Sequence, residues 1–236
     1  MRTLKKNAFW VGVSLYAFLS LLTIPTLRAA TLVDFSTTFG GFEVQLYDDQ
    51  TPITVSNFLS YVDAGLYDHS IIHRSIPGFI LQGGGYDLSS SQLYTIPPGS
   101  PIQNEPGISN VRGTIAMAKL GGDPNSATCQ WFFNLADNSS NLDYQNGGFT
   151  VFGRVLGNGM DVVDAMAAVP AYDATPQLGS AFSNLPLLNP SLTANNLVMI
   201  NSVTVVPEPS SYALFGLGAL ALMVACRRKL LQPAHA

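Results

Sequence analysis

Ile71-Ile72-His73-Arg74-Ser75-Ile76-Pro77-Gly78-Phe79-Ile80-Leu81-Gln82-Gly83-Gly84 sets one arginine in an otherwise apolar segment, adds a glutamine eight residues later and ends on glycines. A guanidinium is costly there unless it meets a partner or a ligand, because a poorly paired charge loses its hydration without return. In an extended chain Arg74, Ile76, Ile80 and Gln82 share side-chain parity, provided the Pro77-Gly78 turn keeps the register. That reading puts a fork-shaped donor and an amide at the two ends of an apolar patch. Such a surface suits a peptide group flanked by a hydrophobic ring. The competing reading of Arg74 is a buried structural ion pair.

The flanking chain is β-rich. Leu32 to Thr38 and Phe42 to Tyr47 surround Phe39-Gly40-Gly41, a hairpin signal, and Phe42, Val44 and Leu46 alternate with Glu43, Gln45 and Tyr47. A helix follows, with Thr51 as N-cap, Pro52 in its first turn, an apolar stripe of Val55, Phe58, Leu59 and Val62, and Gly65 past its end. After the Arg74 segment the sequence predicts a loop from Tyr86 to Gly107. Strands are predicted at Gly113 to Lys119, Gln130 to Leu135 and Phe149 to Val155, then a helix from Met160 to Ala168. Pro170 to Asn196 reads as an unusually long loop, and Leu197 to Val206 as a closing strand. Many short strands with two helices predict a mainly β domain, a closed antiparallel barrel capped by the helices.

Charge is distributed unevenly. Between Ala30 and Pro209 only Arg74, Arg112, Lys119 and Arg154 are basic, against all fifteen acidic residues, so this interval carries −11 although the whole chain carries −4. Such a surface repels phosphate backbones and argues against nucleic-acid binding. Cys129 is the sole cysteine of the interval; the other, Cys226, lies in a C-terminal apolar stretch, so no disulfide is expected.

The remaining basic residues mark the ends. Arg2, Lys5 and Lys6 precede an apolar run from Ala8 to Leu22, with Pro25 and the small pair Ala29-Ala30 beyond, so residues 1–30 read as a signal peptide, with an uncleaved anchor as the alternative. At the other end Val206-Pro207-Glu208-Pro209-Ser210-Ser211 precedes an apolar run from Tyr212 to Cys226 and the cluster Arg227-Arg228-Lys229. As a helix that run covers about 22 Å, short of the roughly 30 Å hydrocarbon core. Motif, short helix and basic tail resemble a PEP-CTERM sorting signal. The resemblance implies processing by an exosortase-type membrane protease. It also implies an inner-membrane intermediate held by the C-terminal segment, and then the surface of a Gram-negative bacterium. A plain tail anchor is the alternative. The expected organisation is a signal peptide over 1–30, a folded domain over 31–206 and a sorting segment over 207–236.

Four further segments carry a second resemblance. They are Thr51 to Leu59, Pro101-Ile102-Gln103-Asn104-Glu105 with Arg112 to Ala118, Ser126 to Asn134, and Val151 to Val155 with Gly159 to Asp164. With the Arg74 segment they resemble, in order, the bacterial cyclophilins, the peptidyl-prolyl cis-trans isomerases. The resemblance implies an eight-stranded barrel and Arg74 as the catalytic residue. Phe79, Ile80, Phe132 and Leu142 would line a proline pocket. Gln82 and Gln130 would hydrogen-bond the substrate backbone, Ala118 and Lys119 would form the edge beside it, and Phe149 would stand at the rim. Proline-containing polypeptides are the implied partners. The chemistry needs no metal, cofactor, nucleophile or acid–base residue.

This chain departs from the family at several positions. A bulky aromatic is missing near Asn141, Phe149 stands where histidine or tyrosine is common, and Ile80 where methionine is common. Trp131 occupies a phenylalanine site and reads as core, while Ser75 for an aliphatic residue reads as neutral. Weak cyclosporin binding is expected. A surface peptide-binding or chaperone module that kept the barrel but lost turnover is the alternative function. His69 and His73, four apart, could suggest a metal pair, but a structural His73 beside Arg74 is the expected reading, and Cys129 reads as a small core residue. Asp161 and Asp164 read as capping residues at a helix start. Gly83-Gly84-Gly85 lacks the lysine and strand–loop–helix context of a phosphate loop.

Overall fold

The computed structural model describes residues 30–207. The expected signal peptide and the apolar C-terminal run with its basic cluster lie outside the described residues.

The chain forms β1 (Leu32–Thr37), β2 (Gly40–Leu46), α1 (Pro52–Asp63), β3 (Ser70–Ile71), β4 (Arg74–Ile76) and β5 (Ile80–Gly83). Next come β6 (Tyr86–Ser89), β7 (Gln92–Thr95), β8 (Thr114–Met117), β9 (Trp131–Asn134), α2 (Ser139–Leu142) and β10 (Val151–Val155). The described chain ends with α3 (Gly159–Ala167), β11 (Ala171–Tyr172), α4 (Thr175–Leu178), β12 (Leu185–Pro186) and β13 (Met199–Val205). One curled antiparallel sheet runs β4-β5-β9-β8-β10-β2-β1-β13-β3-β6-β7. β3 and β4 are consecutive stretches of one extended segment. At one end Ile72 N–H donates to Val198 O at 3.0 Å; at the other His73 N–H donates to Gln82 O at 3.2 Å.

Alternation along the strands explains how this sheet serves two purposes. Leu81, Ile115, Met117, Trp131, Phe133 and Phe152 point into the main core. Their neighbours Ile80, Ala116, Phe132 and Val151 point the other way, into a separate apolar cluster with Leu142. Strands covered on both faces read as continuous apolar runs instead of clean alternation. Inside, the Phe35 ring stacks on Phe42 with centroids 5.1 Å apart and meets Trp131 edge-on at 5.4 Å. Trp131 is therefore core, as its position in the sequence implied. Cys129 is buried too, and burial raises its thiol pKa, which leaves little of the reactive thiolate.

Several sequence expectations are corrected. Arg74 and Gln82 are direct cross-strand partners, as are Ile76 and Ile80. The Pro77-Gly78 turn thus folds the segment into a hairpin and brings arginine and glutamine to the same end of the apolar patch. The stretch from Tyr86 to Gly107 is not all loop, because its first part is the β6–β7 hairpin. Thr51 does not cap α1 with its side chain; its hydroxyl donates to Tyr47 O at 3.3 Å. The free N–H groups of that helix start are met by Glu105, which accepts from Ile53 N at 3.2 Å and from Thr54 N at 2.8 Å. A carboxylate there also suits the helix dipole. Residues 170–196 hold the β11–β12 pair, α4 and two short 3-10 turns in place of structureless loop. They build their own apolar cluster around Phe182, Leu185 and Leu187, packed on Ile71 and, through Tyr86 and Leu88, on the hairpin.

Candidate active site

A cleft of about 570 Å³ opens over the outer face of β4, β5 and β9. Its floor follows from strand register: Arg74 lies opposite Gln82 on β5, and Gln82 lies opposite Phe132 on β9. Arg74 is half-buried, and its Nη1 donates to Gln82 Oε1 at 3.3 Å. Gln82 Nε2 donates in turn to Gln130 Oε1 at 2.9 Å. Among the described residues the ion pair is Arg112 with Asp164, at 2.5 Å on the surface. Among the described residues Arg74 therefore has no carboxylate partner, and the structural ion-pair reading finds no support there. Asp164 is held by Arg112 and does not serve as a cap. Burial lowers the Arg74 pKa, and the guanidinium keeps its charge at any physiological pH.

The glycines after Gln82 shape this floor. Gly84 has φ +76°, and a Cβ there would lie 2.6 Å from Trp131 Nε1. A Cβ on Gly85 would come within 2.9 Å of Gln130 Cδ. The run is glycine because the Gln130-Trp131 side chains lie against its backbone, so a steric need replaces the phosphate-loop reading.

All ten residues singled out from the sequence line this cleft. Phe79, Ile80, Phe132 and Leu142 form its apolar end, and Gln82 and Gln130 its amide side. Ala118 and Lys119 lie along one edge, Phe149 stands on the rim, and Arg74 lies at the opposite edge. Phe132 and Phe149 meet edge-on at 5.8 Å.

The rim is held by groups that sequence reasoning did not single out. Lys119 Nζ donates to Asn146 O at 2.9 Å and to Gly148 O at 2.6 Å, and lies 4.8 Å from the centre of the Phe149 ring. Asn104 Nδ2 reaches Gly147 O and Gly148 O, both at 2.9 Å. Beneath the apolar end runs an amide network. Asn138 Nδ2 donates to Phe79 O at 2.9 Å and to Asn134 Oδ1 at 2.8 Å, and Asn134 Nδ2 reaches Asn110 Oδ1 at 3.1 Å. Asn110 N–H bonds Asp143 at 2.8 Å, and Asn110 Nδ2 bonds Phe149 O at 3.1 Å. Burial pushes the Asp143 carboxyl up, but the Asn110 bonds outweigh it and hold the pKa below the ordinary value. Clustered asparagines in otherwise apolar segments were the available signal.

Asn141, Gln145, His73, Ser180, Ala181 and Ser183 also line the cleft and were not proposed as site residues. His73 is buried between Tyr86, 5.1 Å away, and Phe182, 6.3 Å away. Burial, with the Arg74 charge alongside, lowers its pKa to about 4, so it is neutral near pH 7. His69 is exposed at φ +56°, and no group of metal-ligating side chains occurs among the described residues. The burial of His73 fits its structural reading.

A guanidinium beside two amides thus faces an aromatic-floored cavity on a β domain. The family model described as cyclophilin type peptidyl-prolyl cis-trans isomerase/CLD matches residues 32–180, and that of the PEP-CTERM protein-sorting motif matches residues 205–229. Among curated relatives, the chain is 44% identical over 145 residues to a peptidyl-prolyl cis-trans isomerase of Acinetobacter baylyi, covering 60% of this chain and 74% of that protein. It is 42% identical over 144 residues to peptidyl-prolyl cis-trans isomerase B of Escherichia coli, covering 58% and 85%. A crystal structure of a cyclophilin type peptidyl-prolyl cis-trans isomerase from Cryptosporidium parvum shares the fold, with TM-score 0.55 and 22% identity over 76% of this chain and 99% of that one. The chain belongs to the cyclophilin-type peptidyl-prolyl cis-trans isomerases and carries a C-terminal PEP-CTERM sorting motif.

Proposed function

We propose that the protein accelerates X-Pro bond rotation during folding of secreted or surface polypeptides, and that Arg74 is its catalytic residue. The observation that carries this reading is a half-buried guanidinium with an amide partner and, among the described residues, no carboxylate, set at the edge of an apolar cavity. A planar X-Pro amide resists rotation by about 18–20 kcal/mol because of C–N resonance. Uncatalysed exchange accordingly takes tens of seconds or more. Twisting the bond breaks the resonance and returns a lone pair to the prolyl nitrogen. An Arg74 N–H aimed at that nitrogen, or at the proline carbonyl, stabilises the twisted state over either planar one.

In this reading Phe79, Ile80, Phe132 and Leu142 hold the proline ring, with Phe149 at the rim. Gln82 and Gln130 bond the backbone, and the preceding residues lie along Ala118 and Lys119. Fixing the ring while the preceding carbonyl turns is a matter of positioning. The Gln130–Gln82–Arg74 chain of hydrogen bonds aims the guanidinium. We also read the sheet as a closed eight-stranded barrel with β6 and β7 outside it. The support is the continuous segment Ser70–Ile76, which pairs with β13 at one end and β5 at the other. The assigned organisation is a signal peptide over 1–30, the domain over 31–206 and a sorting segment over 207–236, with exosortase processing at an inner membrane before surface display.

Magnetisation-transfer NMR on an Ala-Pro peptide tests the activity. Cis–trans exchange should quicken in proportion to added protein and fall to background with Arg74→Ala. No acceleration by the wild type, with peptide binding retained, would instead favour the non-catalytic module.

A further inference from the structure

The family match ends at residue 180, within a stretch that lines the cleft through Ser180, Ala181 and Ser183. Residues 173–184 are docked on the outer edge of β4, the strand that carries Arg74. Ser75 N–H donates to Asn184 O at 2.8 Å, so this segment occupies the place of a neighbouring strand. Ala174 N–H donates to Phe182 O at 3.0 Å and closes the loop on itself. The Phe182 ring is buried against Tyr86, with centroids 4.5 Å apart, and against His73. Ala174, Leu185 and Leu187 are buried in the same cluster. A segment tied by both backbone bonds and an aromatic anchor holds its shape before any ligand arrives.

This anchoring leaves Ser180, Ala181 and Ser183 facing the cleft. They are small and uncharged, and the two hydroxyls can donate or accept. Their place in the sheet order gives them a direction. Across the floor the sequence is β8, β9, β5, β4 and then this segment. Ala118 and Lys119, just past β8, therefore lie on the opposite side of the cleft from Ser180–Ser183. A chain that enters along Ala118 and sets its proline over Phe132 leaves across Arg74.

We propose that residues 173–184 form a fixed wall of the substrate cleft, where Ser180, Ala181 and Ser183 contact the residues that follow the proline and select small or hydrogen-bonding side chains there. The orientation rests on the isomerase reading of the cleft. The wall itself rests on its anchoring. A large apolar side chain after the proline meets hydroxyls and has no apolar recess to fill. A glycine or serine fits and keeps its backbone polar groups satisfied.

The test uses the full-length protein and two peptide sets sharing an Ala-Pro core, one extended by four residues after the proline and one by four residues before it. Turnover is read by magnetisation transfer, and Kd by chemical-shift titration in the same samples. Wild type should favour Gly or Ser over Leu directly after the proline by about tenfold in kcat/KM and Kd, the scale on which a pocket discriminates one side chain. Ala181→Trp should lose at least about tenfold more on the set extended after the proline than on the other, and Ala181→Ser should restore the wild-type ratio. Ser183→Trp supplies a second obstruction at the same wall should Ala181→Trp lower the melting temperature. Equal losses on both peptide sets, or none on either, overturn the proposal. Wild-type binding with the predicted bias but without turnover overturns the isomerase reading and leaves the wall standing.

Discussion

The floor of the cleft and its rim are built by different physics. Arg74, Gln82 and Phe132 stand side by side because strand pairing puts them there, with Arg74 opposite Gln82 and Gln82 opposite Phe132. Moving any of them means slipping a register that also buries Leu81 and Phe133 in the core, which makes the floor stiff. The rim over Gln145–Phe149 has no ladder. It is pinned by Lys119 and Asn104 to backbone carbonyls, and Asn146, Gly147 and Gly148 all have positive φ. In the proposed isomerase reading, chemistry that needs fixed geometry belongs on the floor, and adjustment to different substrates belongs on the rim.

Removing the floor's charge is the severest test of that division. Arg74→Ala should lower kcat/KM by about 10²–10³-fold, the usual cost of one transition-state donor. Arg74→Lys should recover little, because a compact ammonium lacks the planar fork that Gln82 orients. Exchange NMR reads both variants. A loss below about threefold would transfer the main catalytic role away from the floor.

His73 sits where the floor meets the 170–196 segment, and its effect is on stability. Its folded pKa of about 4 lies below the ordinary 6.5, so the unfolded chain takes up the proton first as pH falls. Stability from this group is complete above about pH 6.5 and drains away between there and pH 4. At about 1.4 kcal/mol per unit the loss approaches ~3 kcal/mol. Denaturant melts at pH 7 and pH 4.5 measure it. His73→Gln should flatten the slope; an unchanged slope would assign the acid sensitivity to carboxylates instead.

Legibility in the sequence divides along the same line. The Arg74 segment, the β9 strand and both longer helices could be read, because period-two and period-3.6 patterns are local and the floor inherits their register. The apparent parity of Arg74 and Gln82 was sound, yet their separation along the chain misled, since a hairpin makes distant positions adjacent. Contacts that close over long loops were not readable. Nothing local says that Glu105 caps a helix some fifty residues earlier, that Asn104 grips Gly147, or that Phe182 anchors beside His73. The apolar residues of 170–196 were visible, but among prolines and asparagines they had no period to follow.

Glu105 tests whether the scaffold behind the rim can be weakened apart from the floor. Its carboxylate bonds Ile53 N, Thr54 N and the Thr54 hydroxyl, while its own N–H is held by Thr150 at 2.8 Å. Glu105→Ala should cost about 0.5–2 kcal/mol, the range for a lost helix cap. The denaturation midpoint should drop accordingly, while exchange catalysis per folded molecule persists. A loss of catalysis exceeding the loss of folded protein would mean that floor and scaffold are coupled.

The smallest expected effect is the most informative about the rim. Lys119 is a substrate-edge residue in the proposed function, yet its ammonium is already engaged by Asn146 O and Gly148 O and lies over Phe149. Burial lowers its pKa, which fits a cation serving the protein's own carbonyls more than solvent. Lys119→Met keeps most of the stem and deletes both charge-assisted bonds, so Gln145–Phe149 should loosen. Stability should fall by about 1 kcal/mol, because Asn104 still holds Gly147 and Gly148. Amide exchange at Gly147–Phe149 should quicken, and KM should rise by roughly twofold to fivefold with kcat nearly constant, the pattern of lost ground-state binding. If kcat falls as far as KM rises, the ammonium acts on the twisted amide itself, and the division between a chemical floor and an adaptive rim gives way at this residue.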